Sequence, residues 1–332
     1  MQEAIRQTRE RLQIVLITYN RAKQLSETFD QILCDTSPVR DFDITVFDND
    51  STDDTRQVVH SAIAAHPNLK YQKNNVNVGG NANICKALES ATKDYLWVLC
   101  DDDKFDWTGW PDIENAIARN EDLILASNGF LTASPGRIDS PAHQLLQMSF
   151  LPSIIYSRRL LTGTALRNAY DNLFALFPHI APVVMHFNNG GKTYVAPRGV
   201  VFAGGNPESD SSYTRGYRKS DVFNRSVSMT MSVGMANLVA NLKDRKLAKA
   251  CYSLLTKSEW IGGPMVFYGS YFYNLRGADN LMNRTDIWMQ APLGMRLGIC
   301  LVRILQMTLG WAATPAIYGR IRRLVDHLTA RK

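Results

Sequence analysis

This chain is poor in cysteine. Its 332 residues hold five, Cys34, Cys85, Cys100, Cys251 and Cys300, with no close pair and no metal-type spacing. That excludes a disulfide scaffold and a thiolate zinc centre, and it fits free thiols in a reducing compartment. Long apolar runs are also missing. A membrane-spanning helix needs about 20 apolar residues; the longest uncharged piece of the tail, Ile304 to Gly319, is shorter and contains Pro315. Met1 to Arg11 is polar and charged, without the apolar core of a secretory signal. The expected location is therefore cytoplasmic. No internal repeat and no low-complexity tract occurs, which excludes solenoids and propellers. Hydrophobic residues make up 45 % and charged residues 20 %, ordinary for a folded protein. The length allows one large domain plus an extension.

Three adjacent aspartates carry the strongest signal. Asp101, Asp102 and Asp103 stand directly behind the apolar run Tyr95-Leu96-Trp97-Val98-Leu99-Cys100. A short run rich in aromatic and aliphatic side chains reads as a buried strand. Neighbouring carboxylates disfavour each other's ionisation unless a cation stands between them. A hard divalent ion, Mg2+ or Mn2+, resolves that conflict. The C-terminal end of a strand in an α/β sheet is also where ligands bind. The competing reading is a solvated acidic turn before the helix near Asp112.

Two further runs have the same form. Gln13 to Ile17 ends in Thr18-Tyr19-Asn20-Arg21, and Asp43 to Phe47 ends in Asp48-Asn49-Asp50-Ser51-Thr52-Asp53. A helix-like stretch follows each. Asn77-Val78-Gly79-Gly80-Asn81-Ala82-Asn83 is a glycine-rich loop opening a helix over Ile84 to Ala91. Alternating strands and helices predict a parallel sheet with its loops along one edge. The four polar clusters should then face one crevice.

Taken in order, Thr-Tyr-Asn-Arg, Asp-Asn-Asp-Ser-Thr-Asp, Asn-Val-Gly-Gly-Asn-Ala-Asn and Asp-Asp-Asp resemble the nucleotide-sugar half of a family-2 glycosyltransferase with the GT-A fold. The resemblance is good over residues 12–130 and weaker as far as about 205. It implies an α/β GT-A domain, Rossmann-like, with a mostly parallel sheet flanked by helices, over residues 1–215. A mainly helical, basic extension over 216–332 completes the chain. The resemblance further implies inverting transfer of a sugar from a nucleoside-diphosphate sugar donor to a saccharide acceptor. The cofactor would be Mg2+ or Mn2+ on the diphosphate.

It also implies roles for particular residues. Thr18, Tyr19, Asn20 and Arg21 would form one wall of the nucleotide pocket, with Tyr19 against the base or ribose. Asp48 and Asn49 would meet the pyrimidine edge. Many family members carry Asp where this chain has Asn49; an amide can donate or accept, so uracil and cytosine both stay open. Gly79 lets backbone approach the ligand closely, and Asn81 and Asn83 lie near ribose or base. Asp101 would face ribose and metal, and Asp103 the metal. Asp102, grouped with the nucleotide contacts, would turn elsewhere because side chains alternate along an extended segment. Asn20 or Ser26 would cap the helix after the first strand, and Ser51 and Asp53 the helix Thr55 to Ala65.

The family's acidic base pair, Glu-Asp, is replaced here by Pro178-His179. Histidine is a competent base near neutral pH, or a metal ligand. Pro178 would fix it at a helix start. A buried structural histidine is the competing reading. His179 is preferred to His186, with Asp210 and Asp221 behind both. Thr132 to Pro152 reads as a surface loop able to close over substrate.

Charge is unevenly placed. Arg284 to Lys332 holds eight Lys/Arg against two Asp/Glu, a surplus of six that equals the +6 of the whole chain. The same segment carries Met295, Leu297, Ile299, Leu301, Val302, Ile304, Leu305, Leu309 and Trp311. A basic, apolar, tryptophan-bearing segment too short to span reads as an anchor on an anionic membrane surface. A peripheral place at the inner face of the cell membrane follows, with a lipid-linked acceptor. Its alternative is a C-terminal helix packed on the catalytic domain. Nucleic acid is not expected as a partner, because the basic residues alternate with aliphatics rather than stacking aromatics. The aromatics of Trp260 to Tyr273 would pack the extension or line an acceptor groove. A nucleotidyltransferase and a non-catalytic nucleotide-sugar-binding subunit remain as alternative functions.

Overall fold

In the computed structural model, residues 2–127, 138, 140–173, 177–204, 234–235 and 237–256 and positions 293, 297, 300, 304, 307 and 308 are described. The strands in chain order are β1 (Leu12–Thr18), β2 (Ile44–Asp48), β3 (Leu69–Lys73), β4 (Tyr95–Cys100), β5 (Lys104–Phe105), β6 (Leu123–Leu125), β7 (Ile154–Ser157), β8 (Tyr194–Val195) and β9 (Val201–Phe202). The helices are α1 (Gln2–Arg11), α2 (Ala22–Ile32), α3 (Thr55–Ala65), α4 (Gly80–Glu89), α5 (Trp110–Ala118), α6 (Pro141–Gln147), α7 (Gly163–Asp171), α8 (Ile180–Asn188) and, much later, α9 (Arg245–Thr256).

Seven strands form the main sheet in the order β3-β2-β1-β4-β7-β6-β8. β1 and β4 are aliphatic or aromatic on both faces and almost wholly buried. That is the composition a central parallel strand needs, because helices cover both of its sides. β1 pairs in parallel with β2 and with β4, and β2 with β3. β7 breaks the pattern and runs antiparallel to both β4 and β6. The sheet is mostly parallel and flanked by helices, the architecture expected from the sequence.

The chain winds outward from β1 through β2 to β3, then crosses back to place β4 on the other side of β1. The strand order therefore reverses at the β1–β4 seam, and ligands bind such sheets where the loops diverge at a reversal. Beneath the seam, one core contains Ile14, Leu16, Phe42, Val46, Trp97, Leu99 and Trp110, each at most 3 % exposed. Trp97 stacks on Trp110 at 6.2 Å, and its indole N–H donates to the Pro152 carbonyl at 2.7 Å. This anchors β4, and with it the acidic turn that follows.

The expected surface loop at Thr132 to Pro152 is corrected in part. It contains α6, where the Ser140 side chain accepts the His143 N–H and Pro141 holds the first turn. Leu145 and Leu146 of this helix are buried. The Ser-Pro start signal is in the sequence; the surrounding Ser, Pro and Ala conceal it.

The chain divides into two compact units, Met1–Ser209 and Asp210–Lys332, six residues before the expected boundary. The described part of the second unit is helical, with α9 and helical turns before it. Asp210, Asp221 and the aromatics of Trp260 to Tyr273 lie outside the described residues.

Candidate active site

Strand register decides what meets at the seam. Thr18 of β1 is level with Asp48 of β2, and Ile17 is level with Cys100 of β4. One step beyond, Thr18 Oγ donates to Asp101 Oδ2 at 2.7 Å. From α2, Thr28 Oγ donates to the Asp101 carbonyl at 2.9 Å. Two threonines thus fix the start of the aspartate triplet.

The three carboxylates have different surroundings. Asp101 is 3 % exposed. Burial pushes its pKa up to about 7, although Arg21 and the Thr18 hydroxyl hold it down. Asp103 is also buried, and its Oδ2 accepts the Cys100 backbone N–H at 2.9 Å. Burial raises its pKa well above the usual carboxylate range, offset in part by that single bond. Asp102 is the most open of the three, and Arg21 Nη2 donates to its Oδ2 at 2.5 Å. The outer two carboxylates are thus buried and the middle one is the more open, so the triplet does alternate in burial. The turn after β4 curls the chain out of its extended path.

The other motifs are woven into one scaffold. Asn20 takes a left-handed conformation, φ 52°. Its N–H donates to Ser51 Oγ at 2.8 Å, and its Oδ1 accepts the Thr52 N–H at 2.7 Å. Asp53 accepts the Ala22 N–H of α2 through one oxygen and the Thr55 N–H of α3 through the other. One carboxylate so caps both helices, and neither Asn20 nor Ser26 caps α2. Asp48 is buried, with Oδ1 on the Ser51 N–H and Oδ2 accepting the Tyr71 hydroxyl at 2.5 Å.

Asn49 is 3 % exposed and makes three internal hydrogen bonds through its amide. Its Nδ2 donates to Asn77 Oδ1 at 2.8 Å, and its Oδ1 accepts from Asn74 Nδ2 and the Val78 N–H, both at 3.0 Å. Asn74 Nδ2 also donates to Asn83 Oδ1 at 2.9 Å, and Lys86 Nζ holds Asn74 Oδ1. This amide chain shapes the glycine loop. Gly79 sits there at φ 83°, a conformation that disfavours a side chain, and donates its N–H to Asn77 Oδ1. Asn81 reaches the Leu173 carbonyl. Of the predicted nucleotide contacts, Tyr19 (39 % exposed), Asn20 and Gly79 are exposed and Asp102 is half-buried. Thr18, Asp48, Asn49 and Asn83 are buried and build the wall behind them.

His179 lies just before α8 and is 2 % exposed. Its Nε2 is 3.1 Å from the Met148 carbonyl, so the proton sits on Nε2 and Nδ1 keeps its lone pair. Nδ1 has no hydrogen-bond partner. Burial lowers the pKa to about 4, so the imidazole is neutral across the physiological range. His186 is held by the Lys192 carbonyl at 2.8 Å.

Two features of the site were not legible in the sequence. Arg21 was expected in the nucleotide wall, but its ion pairs with Asp101 and Asp102 were not foreseeable without the seam. The other is Gly204, just past β9, which pairs antiparallel with β5. A Cβ at Gly204 would overlap the Asp102 carbonyl, so only glycine lets the chain pass against the acidic turn. The Ala203-Gly204-Gly205 sequence was the available signal.

The carboxylate donor set suits Mg2+ or Mn2+. Among the described residues no three His, Cys, Asp or Glu side chains form a complete metal cage. A cation here would draw its remaining ligands from a diphosphate and water.

Residues 13–179 match Glycosyl transferase family 2, half of the chain. The chain belongs to that family. It is a glycosyltransferase, and its mostly parallel sheet with flanking helices is the GT-A fold. Among curated proteins nothing matches. Among solved structures, S. aureus TarS 1-349 in complex with UDP-GlcNAc is similar at 15 % identity, TM-score 0.57, over 94 % of this chain and 92 % of that one. The same TarS fragment with UDP gives 14 %, TM-score 0.57, over 94 % and 91 %. Mannosyltransferase PcManGT from Pyrobaculum calidifontis, solved with GDP-Man and Mn2+, gives 16 %, TM-score 0.49, over 95 % and 87 %. At such identities the two TarS structures speak for the fold alone.

Proposed function

We propose that this family-2 glycosyltransferase moves a sugar from a nucleoside-diphosphate donor to a saccharide acceptor, with inversion at the anomeric carbon. The observation that carries the reading is the Thr18–Asp101 contact at the strand-order reversal, which sets a carboxylate turn beside exposed Tyr19. In this reading Tyr19 packs on the base or ribose. Asp101 and Asp103 hold Mg2+ or Mn2+, and Asp102 lies at the donor's edge. A divalent ion would offset the burial cost that Asp101 and Asp103 bear, and its chemistry there is to neutralise a leaving diphosphate. Asn49, Asn83 and Gly79 act through the loop they shape.

His179 is the proton acceptor in this reading, through the unpartnered Nδ1. A pKa of about 4 makes it a weak base. Departure of the leaving group, more than proton removal, then lowers the barrier.

The acceptor is lipid-linked, as surface polysaccharide assembly would require, and the enzyme works at the inner face of the membrane. Helical Leu293, Leu297, Ile304 and Met307 are all more than half exposed, within the segment that holds the chain's net charge. No helix among the described residues is long and apolar enough to cross a bilayer, so contact would be peripheral.

The test is thermal stabilisation by UDP, GDP and CDP and their sugars, with and without Mn2+, on wild type and Asp101→Asn. One base should stabilise wild type only with metal, and the variant should lose that response. Absence of any metal-dependent shift in wild type would sink the reading and favour a degenerate site.

A further inference from the structure

Arg21 occupies the space between carboxylates where a cation would be expected. Its Nη2 binds Asp102 Oδ2 at 2.5 Å, and its Nε lies 3.3 Å from Asp101 Oδ1. The side chain is 15 % exposed and Asp101 only 4 %. Burial opposes the guanidinium's charge, but Asp101 and Asp102 outweigh it. The fit is nevertheless incomplete. Arg21 Nε is buried and makes no hydrogen bond, despite its closeness to Asp101. A buried N–H without an acceptor is unfavourable, so the pairing leaves the guanidinium with unused donor capacity.

Its position allows exchange. Arg21 precedes α2 directly and follows left-handed Asn20, whose backbone is tied to the β2 turn. The backbone is fixed, while the long side chain can swing about its own torsions. A guanidinium presents a planar fork that matches a phosphate as well as a carboxylate. A divalent cation held by Asp101 and Asp103 competes with this guanidinium at Asp101, the carboxylate both would use, because two positive groups a few ångströms apart repel.

We propose that Arg21 is an exchangeable counter-ion: it bridges Asp101 and Asp102 while the site lacks nucleotide, and passes to the donor's diphosphate when a divalent cation takes the carboxylates. The inference rests on the functional reading above and adds an order to it. Metal alone binds weakly, because it must displace Arg21 with nothing to receive the guanidinium. Metal with diphosphate binds tightly, because the displaced guanidinium gains a new anion. Arg21 is thus a positioning residue that couples the two ligands.

The experiment is Mn2+ titration followed by electron paramagnetic resonance, on wild type, Arg21→Gln and Arg21→Lys. Each is measured without nucleotide and then with whichever of UDP, GDP or CDP binds wild type. For Arg21→Gln, Mn2+ alone should bind roughly ten-fold tighter than to wild type. The Mn2+–nucleotide pair should bind roughly ten-fold or more weaker. Arg21→Lys keeps a charge that reaches one carboxylate at a time, so its Mn2+ affinity should shift the same way by less. If Arg21→Gln fails to fold, the sign of the Lys shift decides. Unchanged Mn2+ affinity in the folded variants, or unchanged nucleotide affinity in Arg21→Gln, overturns the inference and leaves the glycosyltransferase reading standing. Absence of metal-dependent nucleotide binding in wild type overturns both.

Discussion

Thr18 and Asp101 are 83 positions apart in the chain and share a 2.7 Å hydrogen bond across the β1–β4 seam. The bond helps hold down a carboxyl that burial has already pushed up to about 7. Replacing Thr18 by Val keeps the shape and removes the donor. Asp101 should then take up a proton more readily, and Mn2+-dependent nucleotide binding should fail at a higher pH than in wild type. Folding stability should fall by about 1–3 kcal/mol where Asp101 is ionised. Superimposable pH profiles for the two proteins would show that the hydroxyl does not tune this carboxylate.

Gly204 and Gly163 make a matched pair for testing the acidic turn. A Cβ at Gly204 meets the Asp102 carbonyl, whereas one at Gly163 meets nothing within 4 Å. Gly204→Ala should displace the turn, weaken metal-dependent nucleotide binding by roughly ten-fold or more, and lower the melting temperature by several degrees. Gly163→Ala, in the first turn of α7, should leave binding intact and stabilise by up to about 1 kcal/mol. Equal behaviour of the two variants in calorimetry and nucleotide titration would rule out a packing role for Gly204.

Strands and helices were legible wherever the pattern was local. The aliphatic runs Gln13 to Ile17 and Tyr95 to Cys100 announced β1 and β4, and the polar clusters behind them marked the loops. Side-chain direction was not legible, because pairs such as Thr18 with Asp101 or Asp53 with Ala22 exist only after strands from distant parts of the chain dock. Asn49 shows the limit clearly. Its position in the motif suggests base recognition, but both lone pairs of its oxygen and one of its N–H groups are taken by Asn74, the Val78 N–H and Asn77. An amide's three contacts are set by register and loop shape, which one sequence does not display.

His179 makes a pH-dependent contribution to stability. Its pKa falls from 6.5 to about 4 on folding because the imidazole is buried. The unfolded chain therefore binds a proton that the folded protein refuses. Stability from this residue is complete above pH 6.5, declines as pH falls through that value, and levels off below about 4. The full span is on the order of 3 kcal/mol. Asp101 works in the opposite sense, since its raised pKa favours the folded protein as pH falls below about 7. The signature of His179 is thus a difference. Wild type minus His179→Gln, followed by denaturant unfolding, should rise between pH 4 and 6.5. A flat difference would mean that the imidazole is not neutral and buried in solution.

Membrane contact makes separable demands on charge and on apolar surface. Leu293, Leu297, Ile304 and Met307 are each in helical conformation and are spaced by four, seven and three residues, the spacing that one face of a helix repeats. Their exposures run from 56 % for Ile304 to 85 % for Met307. Leu297→Glu with Ile304→Glu adds negative charge and removes apolar area, and should release the protein from phosphatidylglycerol vesicles in sedimentation assays at any salt concentration. Neutralising Arg320, Arg322 and Arg323 should instead weaken binding at low salt, with a smaller loss at high salt, because screening has already reduced that attraction. Phosphatidylcholine vesicles should bind wild type more weakly than anionic ones. If the double glutamate variant still pellets with anionic vesicles but no longer self-associates by light scattering, the face belongs to a second copy of this chain.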